Sequence, residues 1–230
     1  MKRPKILAFD VFGTVVDWHG SIWREAEAMM PGVDGNRFAS AWRAGYKPAM
    51  DEVRSGQRGW TKIDDLHRII LDRILKDFGI DLDESSRHQL NRAWHRLAPW
   101  PDTVAGMLRL KSHFTLTTLS NGNLGLLANM AKHGGLPWDL ILSAEVFRHY
   151  KPDPETYLGV AEVFEVSPNE VMLVAAHEDD LDAASACGLQ TAFIQRDNEY
   201  GPDVRINHAD LTRFSYAARD LVDLAEQLGA

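Results

Sequence analysis

The sequence predicts an α/β fold in which a parallel sheet, wound by helices on both sides, is interrupted near its start by an inserted helical block. Three observations lead there. Apolar runs too short for helices open the chain and recur after residue 113, and helix-period segments separate them. Between the first run and the next, residues 17–98 have helical periodicity and no convincing strand. The chain is 230 residues long and 45% hydrophobic, enough to bury a full core. The expected architecture is a Rossmann-like core from residues 1–16 and 99–230, with a helical cap inserted at 17–98.

The first strand is Ile6-Leu7-Ala8-Phe9, too short for a helix and followed by a turn at Gly13. Asp10 falls at its carboxyl end, where open α/β sheets place their ligand chemistry. The cap reads as four helical patterns: Ser21 to Met30, Arg37 to Arg54, Lys62 to Phe78 and Glu84 to Leu97. The third is clearest, with Ile63, Leu66, Ile70, Ile74 and Phe78 on one face. The core then resumes. A helix from Pro101 leads to a strand at Phe114–Leu119 that ends in Ser120-Asn121-Gly122. A helix follows, stopped by Gly134-Gly135, then a strand at Leu140–Ser143 and a loop with Tyr150-Lys151-Pro152-Asp153. A helix from Pro154 precedes the strand Val171–Ala175, whose exit is Ala176-His177-Glu178-Asp179-Asp180. Thr191–Ile194 is the last expected strand and Tyr216–Leu228 the last helix.

The net charge of −8 and a pI near 5.6 argue against nucleic acid or an anionic membrane as partner. No apolar run reaches the roughly 20 residues that span a bilayer. The first strand starts almost at once, so no signal peptide is expected. Cys187 is the only cysteine and lies in an Ala-rich helix, which reads as packing and fits a cytoplasmic location.

Strand ends thus present Asp10 and Thr14, Ser120 and Asn121, Lys151, and Asp180. A nucleophilic aspartate, a hydroxyl/amide pair, a lysine and a second carboxylate, in that order, resemble the four motifs of the haloacid dehalogenase (HAD) superfamily. Phe9-Asp10-x-x-Gly13-Thr14, Leu119-Ser120-Asn121-Gly122 and Tyr150-Lys151-Pro152-Asp153 carry the resemblance, and the core is therefore expected to be HAD-like. Most of that superfamily are magnesium phosphatases with Asp-x-Asp-x-Thr in the first motif. Here the second acid is replaced by Phe12, which has no proton to give an alkoxide. Ala175-Ala176 stand where phosphatases have Gly-Asp, so no metal and no other cofactor is expected.

A halide leaves without a proton. Phe12-Gly13-Thr14, with Ala41-Trp42-Arg43 in the cap, looks like the L-2-haloacid dehalogenase type II branch. The resemblance implies that Asp10 displaces halide to form an ester, which water cleaves to a 2-hydroxy acid. It further implies that Thr14 and Lys151 hold Asp10 and that Asp180 serves the hydrolytic water. Ser120 and backbone N–H groups, those around Val11 included, would bind the substrate carboxylate. Asn121 and Arg43 would donate to the halide, and Tyr157 would support the site. Phe12, Trp42, Tyr46 and Trp60 are candidates for an apolar halogen pocket, with plain aromatic core the alternative for each but Phe12. The fourth motif departs from the family's Ser-Asn-x-(aromatic)-Asp: a serine, an asparagine and an aromatic have become Ala176, His177 and Asp179. His177 either shares the work of Asp180 or is a structural histidine paired with Glu178 or Asp179. The expected partner is a small-molecule haloacid, with a homodimer as the assembly considered. The alternatives are a metal-dependent phosphatase or phosphonate-cleaving relative, or an idle binding module on the same fold.

Overall fold

A computed structural model describes residues 2–208 and 210–230. The opening strand β1 (Ile6–Phe9) is buried along its whole length and sits mid-sheet. It pairs in parallel with the strands the chain forms much later, numbered in chain order as β4 (Thr115–Ser120) and β6 (Val171–Ala175). Before β4 come two short strands, β2 (Val16–Asp17) and β3 (Ala98–Pro99). With β5 (Leu140–Ser143), β7 (Gln190–Ile194) and β8 (Tyr216–Ala218), the main sheet has the order β5-β4-β1-β6-β7-β8, all parallel. Helices cover both faces, so the central strands read as continuous apolar runs rather than alternating ones. The chain goes to one side of β1 first and later returns to its other side, so the order reverses between β1 and β6. That is where a doubly wound sheet opens its ligand crevice, and Asp10 lies there.

The segment between β2 and β3 is helical: α1 (Trp18–Met29), α2 (Gly35–Ala44), α3 (Tyr46–Arg54), α4 (Ile63–Asp77), α5 (Glu84–Asn91) and a 3₁₀ turn over Arg92–Arg96. Side-chain oxygens of Asp17, Asp34 and Asp83 accept from backbone N–H groups in the first turns of α1, α2 and α5. The strands β2 and β3 pair antiparallel, Val16 opposite Pro99, and form a two-strand neck through which the chain leaves and re-enters the sheet layer. The expected single helix over Arg37–Arg54 is two helices. The break is at Gly45, where a Cβ would lie 2.5 Å from the Ile70 side chain, so α4 approaches too closely for a larger residue. The last expected helix also divides: Tyr216–Ala218 joins the sheet edge as β8, and the closing helix runs Leu221–Gln227. Three residues of strand are too few for a periodicity to show.

The helix at Thr103–Lys111 packs on this closing helix at Gly106, where a Cβ would sit 2.5 Å from the backbone carbon of Leu221. Backbone cannot yield as a flexible side chain can. Gly106→Ala should therefore destabilise the protein by about 1–3 kcal/mol, the usual range for overpacking. Urea unfolding checks this, and an unchanged midpoint would show that the two helices separate freely.

Candidate active site

Asp10 continues β1 into the crevice, its backbone N–H donating to Val174 O at 3.0 Å. The turn after it is held from several sides. Gly13 O accepts from the Trp100 indole at 2.8 Å, Thr14 O from Arg196 at 2.9 Å and Val15 O from Thr103 at 2.9 Å. Arg196 in turn grips Asp102 with two nitrogens at 2.7 and 2.8 Å. These bonds tie the turn to the Trp100–Thr103 segment and to Arg196. Thr14 Oγ1 donates to Asp10 Oδ2 at 2.7 Å and accepts from Ala176 N at 2.9 Å, as expected for a residue that positions the aspartate.

Lys151 reaches in from the loop after β5. Its Nζ lies 2.9 Å from Asp10 Oδ1 and 2.5 Å from Asp180 Oδ2, and all three groups are buried. The other Asp180 oxygen accepts from the Tyr157 hydroxyl at 2.6 Å. Burial pushes Asp10 up, but Lys151 and His177 outweigh it and hold the carboxyl well below the usual range. Asp180 goes the other way: burial raises it and the neighbouring Asp10 charge adds to that, against Lys151 and Tyr157. The Lys151 ammonium is disfavoured by burial, yet the two carboxylates hold it above its ordinary value. The site thus contains one firmly ionised aspartate and one more basic one, the asymmetry that separates a nucleophile from a base.

A second ligation of Asp10 was only half visible in the sequence. His177 Nδ1 lies 3.2 Å from Asp10 Oδ2, and its Nε2 faces both oxygens of Glu199 at 2.9 and 3.0 Å. Neither Glu178 nor Asp179 is its partner. Glu199 is buried and also accepts from the Trp18 indole at 3.0 Å. Burial disfavours the His177 charge, but Glu199 and Asp10 raise it well above its ordinary value. Glu199, Arg196 and Trp18 were not anticipated. They lie in a loop after β7 and at the start of α1, with no motif or spacing to tie them to Asp10.

These groups open onto a cavity of about 590 Å³ between sheet and helical block, lined by Asp10, Phe12, Arg43, Tyr46, Asn121, Lys151, His177 and Asp180 among others. The Arg43 guanidinium is stacked on Tyr46 at 4.2 Å and lies 5.5 Å from the Trp18 ring, with no acidic partner among the described residues. Its fork of donors is free for an anion. Asn121 Oδ1 accepts from Lys151 N at 2.8 Å, which commits the oxygen, and the side chain also bonds Tyr46 at the cavity wall. Tyr200, which was not expected there, and Asp179, which stands where the family has an aromatic, complete part of the wall.

Several expected contacts are absent. Ser120 is fully buried, accepts from Gly122 N at 3.1 Å and does not line the cavity, so its side chain shapes the turn. The Val11 side chain belongs to the core. Trp42 is buried among Phe38, His67 and Trp94 and donates to His67 O at 3.0 Å. Trp60 stacks on Tyr150 at 5.0 Å, outside the lining. Tyr157 lies outside the lining and supports the site through its hydroxyl, which donates to Asp180. Each is an aromatic or small side chain whose type suits a pocket wall and a core equally well.

A magnesium ion, as in the fold's phosphatases, does not fit. The Lys151 ammonium lies between the two carboxylates that a cation would bridge, and the Phe12 and Ala176 side chains offer no oxygen.

A parallel α/β sheet with a buried, lysine-held aspartate at its switch point is the arrangement of a HAD-like hydrolase. The family model described as haloacid dehalogenase-like hydrolase matches residues 4–188, and the chain belongs to that family. It is similar to (S)-2-haloacid dehalogenase 1 of Pseudomonas sp. strain CBS-3, 29% identical over 86% of this chain and 88% of the relative. Haloacetate dehalogenase H-2 of Moraxella sp. strain B is 28% identical over 85% and 88%. Among solved structures, an L-2-haloacid dehalogenase is 48% identical, with a TM-score of 0.93 over 98% of this chain and 99% of its own. A defluorinating L-2-haloacid dehalogenase is 45% identical, with a TM-score of 0.94 over 99% and 96%.

The Tyr157 hydroxyl stabilises ionised Asp180. Tyr157→Phe should raise the pKa of Asp180 and move the acid limb of turnover to higher pH, because the protonated acid cannot take a proton from water. An acid limb that does not move in the pH profile would separate Asp180 from the base role.

Proposed function

We propose that this protein is an (S)-2-haloacid dehalogenase, hydrolysing the carbon–halogen bond of short 2-haloalkanoates or haloacetates to a 2-hydroxy acid and halide. The observation that carries the reading is the ionised Asp10 carboxylate, held by Lys151 and Thr14 and facing a cavity with a free arginine fork. Its relatives' names point to the same substrates. We take residues 17–98 as a cap that closes the cavity, clasped to the core by Arg54 on Asp153 at 2.7 Å and Tyr150 on Thr61 O at 2.7 Å. The lone Cys187, with no disulfide partner, suits a reducing cytoplasm.

In the first step an Asp10 oxygen bonds to the α-carbon, and the halide leaves with the bonding pair toward Arg43 and the Asn121 amide. No proton moves, which suits Phe12 at the position of the phosphatase acid. In the second step water attacks the ester carbonyl carbon and gives a proton to Asp180. The tetrahedral intermediate expels the alkoxide, which takes a proton from Lys151. Asp180, hydrogen-bonded to Lys151, returns its proton there. Asp10 leaves as the carboxylic acid and ionises to solvent, so each turnover releases one proton.

Halide should be released from 2-chloropropionate and chloroacetate in excess EDTA, with no phosphate released from phosphomonoesters in magnesium. In a single turnover in ¹⁸O-water the label should enter Asp10 and not the product, and Asp10→Asn should be inactive but folded. Label found first in the product would mean that water attacks the substrate directly.

Arg43 meets charge that grows as the halide leaves, so it acts more on the transition state than on bound substrate. Arg43→Ala should lower kcat by 10²–10³, about 2.7–4 kcal/mol, the usual loss for one charged donor. Arg43→Lys should recover only part of this. A kcat for chloroacetate within about threefold of the parent enzyme would place the halide elsewhere.

A further inference from the structure

The two oxygens of Asp10 are not equivalent. Oδ1 meets one donor, Lys151 at 2.9 Å, whereas Oδ2 meets two, Thr14 at 2.7 Å and His177 at 3.2 Å. Both His177 nitrogens face carboxylates, Asp10 on one side and Glu199 on the other. A carboxylate only accepts, so both nitrogens must carry hydrogen and the ring is an imidazolium. The arrangement is built rather than incidental. Glu199 is 1% exposed, and a Cβ at Gly13 would lie 2.2 Å from its Oε1, so the turn has a glycine where the carboxylate passes.

We infer that His177, oriented by Glu199, is a catalytic oxyanion donor which with Thr14 binds Asp10 Oδ2 while water cleaves the aspartyl ester. This rests on the dehalogenase reading above. Oδ1, with the single donor, is the attacking oxygen and becomes the ester oxygen; Oδ2 becomes the ester carbonyl. When water adds to the carbonyl carbon, the π electron pair moves onto Oδ2, and negative charge develops between the Thr14 hydroxyl and the imidazolium. As the intermediate collapses, the pair returns, the bond to Oδ1 breaks and the alkoxide takes its proton from Lys151. His177 keeps its proton throughout, and Glu199 is a positioning residue that fixes its ring and charge.

The two steps should respond differently. Before displacement Oδ2 is already part of an anion, so a donor there stabilises the ground state of the nucleophile and does not speed halide loss. In the ester the carbonyl is a weak acceptor and its oxyanion a strong one, so the same donor accelerates hydrolysis. His177 senses Asp10 and Glu199 directly, with Lys151, Arg43, Asp179 and Tyr200 around the same cavity. Hydrolysis should therefore fall at alkaline pH as the imidazolium loses its proton.

The test is rapid-quench kinetics on the full chain with 2-chloropropionate, following halide and the mass of the intact protein. His177→Asn should release its first equivalent of halide at least as fast as the parent, then hydrolyse 10²–10³-fold more slowly, so that the ester accumulates on the protein. The alkaline fall in hydrolysis should vanish in that variant and move to lower pH in Glu199→Gln. Hydrolysis within about threefold of the parent, or an equal loss in both steps, overturns the inference and leaves His177 as packing. If the variants do not fold, ¹⁵N-histidine NMR of the parent decides: His177 protonated on both nitrogens at pH 8 supports the assignment, and a singly protonated ring overturns it. A parent that releases no halide overturns the dehalogenase reading as well, and that assay is read before the variants.

Discussion

The site depends on one buried ammonium. Lys151 lies between Asp10 and Asp180, and taking it out would leave two carboxylates facing each other in the interior. Breaking such a buried pair typically costs 3–5 kcal/mol. The lysine therefore keeps two carboxylates together that would otherwise repel, and it makes them unequal. Asp10 has additional contacts from Thr14 and His177 and stays ionised, while Asp180 has Tyr157 as its one side-chain donor besides the lysine among the described residues and is the more basic. In the proposed mechanism the donors around the two carboxylates thus differentiate them as nucleophile and base.

That triad would be loose if the turn carrying Asp10 were loose. The turn is fixed through its carbonyls by Trp100, Thr103 and Arg196, and Arg196 is itself forked onto Asp102. The loop from Arg196 to Gly201 thereby does two jobs: it anchors the turn from below and delivers Glu199 to His177. On the cap side, Phe12 meets Trp94 and His67 edge-on. His67 is buried against Trp94 with no polar partner for either ring nitrogen among the described residues, and burial lowers its pKa to about 3. It is a neutral aromatic plate there, and the floor of the cavity is rigid and apolar next to a strongly charged wall.

Much of this was legible from residue order. Asp10, Thr14, Lys151 and Asp180 could be assigned because parallel strands end on one edge, so motifs far apart in sequence must converge there. The helical stretch between β2 and β3 was legible because it interrupts an otherwise alternating α/β chain. Burial was harder. Phe12, Tyr46, Trp42 and Trp60 have the same chemical character, yet the first two line the cavity, Trp42 fills the cap core and Trp60 stacks on Tyr150. Helical periodicity gives a face, not what the face meets.

The sequence by itself determined five of the six sheet strands, the helical stretch between them and the candidate aspartate, because these follow from strand and helix periods and from the chemistry a strand end can present. Only the tertiary structure decided which oxygen of Asp10 receives which donor. His177 was visible as a departure from the family pattern, but its partner, Glu199, comes from 22 residues further on, and the Trp18 indole from the other side of the neck. Hydrogen bonds of this kind depend on ångström-scale placement of side chains from separate elements, and no local period encodes that distance. Ser120 makes the same point in reverse: its place in a motif predicted a substrate contact, and packing turned its hydroxyl onto its own turn.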